Sequence, residues 1–200
     1  MADPTLTPAG AQKIALRDRL LTARRRLSLL DLHEAAQAIA THLLDTEAVR
    51  RAATVAAYVS VGNEPGTGPL LDALLAAGRR VLLPVLLPDG DLDWAAHTGT
   101  LHRAGRGLLE PVGPRLGPEA VASADVVLTP GLAVDRTGMR MGRGGGSYDR
   151  ALARVPVGTF TCTVLHDGEL VDLVPAEPHD RRVAAAATPS GVTLFSSAPG

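Results

Sequence analysis

Residues 139–150 read Met-Arg-Met-Gly-Arg-Gly-Gly-Gly-Ser-Tyr-Asp-Arg, with glycine at Gly142, Gly144, Gly145 and Gly146 and cations at Arg140, Arg143 and Arg150. Glycine costs conformational entropy on folding and offers no side chain to pack. Such a run is kept where a backbone must turn sharply or approach something closely. Successive glycine N–H groups can curl around phosphate oxygens, and a helix opening behind them adds partial positive charge. Arg140 and Arg143 flank the loop and can add charge-assisted hydrogen bonds. Asp149 falls in the first turn of the helix expected next, where a carboxylate either caps the helix or holds Mg²⁺ beside phosphates. The Gly-Lys-Ser/Thr of a Walker A loop is missing, and so is the acidic residue at the spacing of a dinucleotide fingerprint. The spacing therefore points to phosphate binding without a specific nucleotide motif.

Three further positions bear on the same chemistry. Lys13 and Arg17 are four residues apart and share one face of an expected helix. They form either a solvated basic stripe or a two-pronged clamp on a triphosphate. Lys13 is the only lysine beside 19 arginines, and a compact ammonium serves a phosphate as a point charge in a way arginine does not. Arg24, Arg25 and Arg26 read as a solvated stripe. Glu64, in Val-Gly-Asn-Glu-Pro-Gly-Thr after an apolar run, is either a turn residue or a hydrogen-bonding partner for a nitrogen-rich heterocycle. The histidines at 33, 42, 97, 102, 166 and 179 show no metal-ligand spacing, although His179-Asp180 could bring a second carboxylate to a metal or simply form a turn. Cys162 lies in an expected buried strand and there is no Gly-x-Ser-x-Gly, so no protein nucleophile is indicated.

The elements that must position these residues follow from periodicity. Residues 1–10 read as a flexible tail, 11–195 as one domain and 196–200 as a disordered tail. Residues 11–27 form an amphipathic helix through Ile14, Leu16, Leu20, Leu21 and Leu27, and Ser28–Asp31 fits a capping box opening a second helix to about Leu44. Strands are expected at 53–61, 79–86, 91–97 (an edge), 124–135 and 157–165, with the last ones in 181–196. Helices are expected at 69–77 and 147–155, and a Gly/Arg-rich loop at 99–118. Alternating strands and helices imply an α/β domain with a mainly parallel sheet and helices on both faces.

Composition removes several function classes. Net charge is −1 and aromatics are 2% of the 200 residues, so neither a global basic field nor a stacking platform favours nucleic acid. One cysteine excludes a disulfide framework and a cysteine-based zinc cluster. No apolar run is long enough to span a bilayer and the N-terminal stretch does not read as a signal peptide, so a cytoplasmic location is expected.

Taken together, these residues resemble the 5-formyltetrahydrofolate cyclo-ligase (methenyltetrahydrofolate synthetase) family. Residues 129–150 resemble its signature Pro-Gly-x-x-x-Asp followed by Gly-x-Arg-hydrophobic-Gly-x-Gly-x-Gly-x-Tyr-Asp-Arg. Lys-Ile-Ala-Leu-Arg (13–17), Tyr-Val-Ser-Val-Gly-Asn-Glu-Pro-Gly-Thr (58–67), Leu-Leu-Glu-Pro (108–111) and the closing pattern of 174–189 match in order. The resemblance implies a single three-layer domain of the NagB/RpiA/CoA transferase-like type and an ATP- and Mg²⁺-dependent ring closure. In that reaction 5-formyltetrahydrofolate becomes 5,10-methenyltetrahydrofolate with release of ADP and phosphate. It implies that Lys13 and Arg17 bind ATP phosphates, and that Gly142 to Tyr148, with Arg140, Arg143, Ser147 and Arg150, form the nucleotide loop. Lys13, Arg143 and Asp149 would be catalytic, with Asp149 holding Mg²⁺ assisted by Asp180. Glu64, near Val59 and Val61, would bind the pterin, with Tyr148 as a further folate contact; Trp94 falls where members often carry an aromatic residue and is either another folate contact or a core residue. Ser147 stands where many members place an aromatic residue, and Pro65-Gly66 where they tend to place a hydrophobic one. A monomer acting on small molecules is expected. A small-molecule kinase or sugar-phosphate enzyme on the same scaffold, and a non-catalytic phosphate-binding module, are the alternatives.

Overall fold

The computed structural model describes residues 7–195; the expected tail residues 1–6 and 196–200 lie outside the described residues. The elements in chain order are α1 (Pro8–Arg24), α2 (Leu29–Asp45), α3 (Glu47–Arg51), β1 (Thr54–Ala56), α4 (Gly68–Ala76), β2 (Arg80–Leu86), β3 (Leu92–Ala96), β4 (Leu101–Arg103), β5 (Leu109–Pro111), β6 (Val126–Pro130), β7 (Ala133–Asp135), β8 (Arg140–Met141), α5 (Ser147–Ala153), β9 (Phe160–Val164), β10 (Leu170–Val171), β11 (Ala185–Thr188) and β12 (Gly191–Leu194), with short 3₁₀ turns at Gly105–Gly107 and Pro118–Ser123. Helix α1 reaches back into the expected tail. Thr7 Oγ1 accepts the Gly10 N–H at 3.0 Å, and Pro8 takes the first turn, where its missing N–H costs nothing. Ser28 and Asp31 form the expected capping box at the start of α2.

Seven strands form the main sheet in the order β12-β11-β9-β6-β1-β2-β3. The strands from β11 to β2 are parallel, and β12 and β3 are antiparallel edges. Successive side chains of the inner strands alternate between two cores. Val55, Leu83, Val126 and Leu128 face α2 and α4 through Ile39, Leu43, Leu70 and Leu74. Ala56, Leu82 and Val127 face α5 and the Pro118–Ser123 turn through Ala151, Leu152 and Val121. Burying one such leucine contributes about 1.5–3 kcal/mol. This is the expected three-layer arrangement with helices on both faces.

Three expectations are corrected. The apolar run 124–135 is two strands in two sheets: β6 lies in the main sheet, while β7 joins a small sheet of order β10-β7-β8. Gly131 stands between the two strands, where a Cβ would collide with the Thr163 side chain. The run 53–61 is strand only through Ala56; Ala57 N–H still donates to the Leu82 carbonyl at 2.9 Å, and after it the chain is held by Thr67, whose Oγ1 donates to the Tyr58 carbonyl at 2.7 Å and accepts from Ser60 N–H at 3.0 Å. The Gly/Arg-rich stretch 99–118 contains a hairpin, β4 against β5. Among the described residues no helix is long and apolar enough to cross a membrane.

Within the parallel set the order is β2-β1-β6-β9-β11. The chain leaves β1 toward β2 and returns to the other side of β1 at β6. The strand order therefore reverses between β1 and β6, and their carboxyl ends diverge to leave a crevice where open α/β sheets bind ligands. Helix α1 packs outside this frame, on the small sheet, through Leu20 against Leu132, Ala133, Met139, Met141 and Val174.

Candidate functional site

A cavity of about 700 Å³ opens at this switch point. Tyr58, Val59, Val61 and Glu64 reach it from the end of β1, Pro84 and Leu86 from β2, and Pro130 and Gly131 from β6. Leu108, Leu109 and Glu110 of the hairpin form another wall, so the stretch expected as a loop is a fixed side of the site. Glu110 is buried and accepts the Leu86 N–H at 3.0 Å, tying hairpin to sheet.

The glycine segment lines the same cavity from Met141 through Arg150. Gly144 (φ +100°) and Gly146 (φ +69°) hold left-handed conformations that side chains avoid. A Cβ on Gly144 would also press on the Arg17 guanidinium at 3.4 Å, so the loop lies directly against α1. Arg17 Nε donates to the Gly142 carbonyl at 3.4 Å. Gly146 precedes α5, whose first turn has no side-chain cap. Ser147 Oγ, at the position often aromatic, donates to the Gly90 carbonyl at 2.5 Å. Arg150 lines the cavity, but Nη2 donates to the same carbonyl at 2.5 Å and Nε lies 3.8 Å from Asp91. Arg150 thus anchors the loop to the β2–β3 turn.

Arg140 and Asp149 face each other under the loop. Arg140 is buried, its Nη2 lies 3.0 Å from Asp149 Oδ1, and its Nη1 donates to the Pro130 carbonyl at 3.1 Å. Asp149 Oδ1 also accepts the Arg181 N–H at 3.2 Å. Lys13 is buried, with Nζ 2.8 Å from Glu177 Oε2 and 2.5 Å from Asp180 Oδ2. Burial opposes its charge, but the hydrogen bonds with Asp180 and Glu177 outweigh that and hold its pKa above the ordinary lysine value. Arg143 is half-exposed and pairs with Glu64, Nε to Oε1 at 3.2 Å, while Glu64 Oε2 accepts the Val61 N–H at 3.0 Å. Glu64 is therefore both a turn residue and a cavity carboxylate. Pro65-Gly66 is explained by α2: a Cβ on Gly66 would meet the Ala36 side chain at 2.6 Å.

Glu177, His179 and Asp180 place ligand atoms within 4.8 Å of one another. Two carboxylates and an imidazole form a donor set whose oxygens suit Mg²⁺, provided the Lys13 ammonium, which here lies on both carboxylates, moves to another partner. Sequence reasoning named Asp180 and mentioned His179; it missed Glu177, whose only signal was its place three residues before Asp180. Of the two readings open for Trp94, the structure corrects the folate contact and supports the core: the residue is fully buried with Leu82 and Val127 and does not line the cavity. Trp94 pairs with Pro84 on the edge strand, where the whole indole serves packing. Arg24, expected in a solvated stripe, is buried against Glu169. Burial pushes the Cys162 thiol up to about 12, which agrees with its exclusion as a nucleophile.

The scaffold and its crevice define an open α/β protein with a phosphate-type loop, two cations and a carboxylate converging at the sheet's switch point. The chain belongs to the 5-formyltetrahydrofolate cyclo-ligase family, which it matches over residues 9–189. It is 49% identical over 142 residues to 5-formyltetrahydrofolate cyclo-ligase of Mycolicibacterium smegmatis, covering 68% of this chain and 73% of that one. Identity to the cyclo-ligase of Escherichia coli K12 is 36% over 180 residues, covering 84% and 96%. The NMR structure of Aquifex aeolicus 5,10-methenyltetrahydrofolate synthetase superposes with a TM-score of 0.80 at 25% identity, covering 94% of this chain and 95% of that one.

Proposed function

We propose that this protein is an ATP- and Mg²⁺-dependent 5-formyltetrahydrofolate cyclo-ligase, active as a cytoplasmic monomer. One observation carries the reading: the glycine loop, Lys13, Arg17 and the Glu64 carboxylate all line a single cavity at the switch point of a chain from this family. Its volume of about 700 Å³ falls in the range of ligand sites, roughly 300–1,000 Å³.

Lys13, Arg17, Arg143 and the loop's N–H groups suit a triphosphate, and Glu64, with Val59, Val61 and Tyr148, suits the pterin; the Arg143–Glu64 pair at 3.2 Å lies where the two groups meet. The formyl oxygen attacks the γ-phosphorus as the bond to the leaving ADP oxygen breaks. N10 then closes on the activated carbon, phosphate departs, and the N10 proton is lost. No protein nucleophile is needed, so the chain contributes position and charge, and orientation of this kind supplies roughly 7–11 kcal/mol of a barrier. Asp149 and Asp180, the latter clustered with Glu177 and His179, would hold Mg²⁺, which neutralises phosphate charge when bound.

The test is to mix protein, 5-formyltetrahydrofolate, Mg²⁺ and ATP and follow the ultraviolet absorbance of the methenyl product. An ATP-dependent rise is expected. No rise, with ATP still bound by calorimetry, would discard the folate and point to another phosphoryl acceptor.

A further inference from the structure

The turn that carries Glu177, His179 and Asp180 lines the cavity and closes on itself. Asp180 Oδ2 accepts the Glu177 N–H at 2.7 Å, and the Asp180 N–H donates to the Glu177 carbonyl at 3.0 Å. The turn therefore needs no cation to hold its shape. It has one nevertheless: the Lys13 ammonium donates to Glu177 Oε2 at 2.8 Å and to Asp180 Oδ2 at 2.5 Å, across 164 and 167 positions of the chain. The Lys13 side chain is 9% exposed and that of Asp180 7%, so little water screens the three charges. Two carboxylates brought this close repel each other unless a cation stands between them. The ammonium supplies that cation, on the same oxygens that suit Mg²⁺.

Ammonium and metal cannot share this place. The ligand atoms of Glu177, His179 and Asp180 lie within 4.8 Å of one another, so a dication among them would sit against the Lys13 charge and be repelled by it. Lys13 has another place to go. Arg17 lies one helical turn further along α1, and the glycine loop is packed against its guanidinium at Gly144. A phosphate held by that loop comes within reach of the flexible four-carbon lysine stem. We propose that Lys13 holds the place of the metal: its ammonium and Mg²⁺ exclude each other at Glu177 and Asp180, and transfer of the ammonium to an ATP phosphate frees these oxygens for the metal. Nucleotide and metal are thereby coupled through one side chain, and the coupling is reciprocal. The inference rests on the cyclo-ligase reading for its two ligands, but its test needs no turnover.

The experiment titrates nucleotide-free protein with Mn²⁺, followed by electron paramagnetic resonance. Lys13→Met should bind Mn²⁺ roughly 5- to 150-fold more tightly than the wild type, the usual span of a coupling between two sites. Adding Asp180→Asn to that variant should abolish the gain, which places the metal at the cluster. Equal or weaker binding by Lys13→Met would make the lysine a fastener of the turn and overturn the proposal. A second measurement uses only the wild-type chain. Lys13 is its single lysine, so ¹⁵N-lysine labelling reports on one side-chain ammonium. Its signal should move when Mg²⁺ and a non-hydrolysable ATP analogue saturate the protein. A signal unmoved at saturation would overturn the exchange whatever the variants do. Tighter Mn²⁺ binding by Lys13→Met in a protein that forms no methenyl product would keep the exchange and discard the folate reading.

Discussion

Two cations on α1 meet carboxylates from the C-terminal part of the chain, and the two meetings differ in what stands beside them. Arg24 Nε and Nη2 reach both oxygens of Glu169 at 2.6 and 2.8 Å, and Nη2 also donates to the Gly131 carbonyl at 2.6 Å. Glu169 Oε2 accepts the His166 N–H at 2.8 Å, His166 Nε2 donates to the Asn63 carbonyl at 3.1 Å, and Asn63 Nδ2 donates to the Arg24 carbonyl at 2.8 Å. The ring is closed, with both charged side chains at most 6% exposed. Lys13 also holds two carboxylates, but Glu177 is 30% exposed and all three residues line the cavity. A bidentate, fully enclosed pair can serve only to fasten α1 and the Asn63-Glu64 turn to the sheet. The pairs at the cavity can exchange partners when a ligand arrives. Burial alone does not separate scaffold from site; the contact with open volume does.

The sharpest break of this comparison removes one half of the fastener. Glu169→Ala leaves Arg24 buried and uncompensated, which costs about 3–5 kcal/mol and should lower Tm by roughly 10 °C. Below its melting temperature the variant should keep its KM for ATP within a few-fold. A KM raised as much as in a cavity variant would show that Arg24–Glu169 belongs to the site. Lys13→Ala is the complementary change. It should lower kcat/KM for ATP by about 10²- to 10³-fold, as removal of one preorganised donor does, with Tm changed by no more than about 3 °C. A normal kcat/KM would make Lys13 a second fastener.

A smaller effect sharpens the closed ring. Burial first depresses the pKa of His166, against an opposing pull from its bond to Asn63. The unfolded chain therefore binds more protons just below pH 6.5, and stability falls as pH drops through that region, by at most about 1.4 kcal/mol per pH unit for one group. His97, depressed by burial, adds in the same direction. His166→Gln should flatten the Tm-against-pH slope between pH 7 and pH 5. An unchanged slope would assign it to His97 and other groups.

The contrast also shows what the sequence made legible. The glycine loop, Lys13, Arg17 and Glu64 could be read because their chemistry is local: glycines in one run, two cations four residues apart, a carboxylate after an apolar strand. Arg24 could not, because three consecutive arginines look alike until one finds a partner 145 positions away. The β4–β5 hairpin was hidden by its shortness, since its register is fixed partly by Glu110 reaching Leu86 and not by strong alternation of its own. Trp94 stayed open between core and site because an aromatic on an edge strand carries no mark of which way its ring is buried. The break between β6 and β7 was obscured by continuous hydrophobicity, which both sheets require.

Helix α1 has a consequence for how the protein is made. It leaves the ribosome well before its anchors, Glu169 and Asp180, which lie 145 positions beyond Arg24 and 167 beyond Lys13. At about 5–20 residues per second, that interval is roughly 8–30 seconds. For that time Lys13 and Arg24 lack their carboxylate partners, although Leu132, Ala133, Met139 and Met141 can already receive Leu20. The cavity closes only when the C-terminal segment folds back. A chain that stalls or is cleaved before residue 169 therefore lacks β11 and β12 as well as the anchors of α1, and leaves the β9 edge and the apolar surface that β11 would cover open to chaperones and proteases.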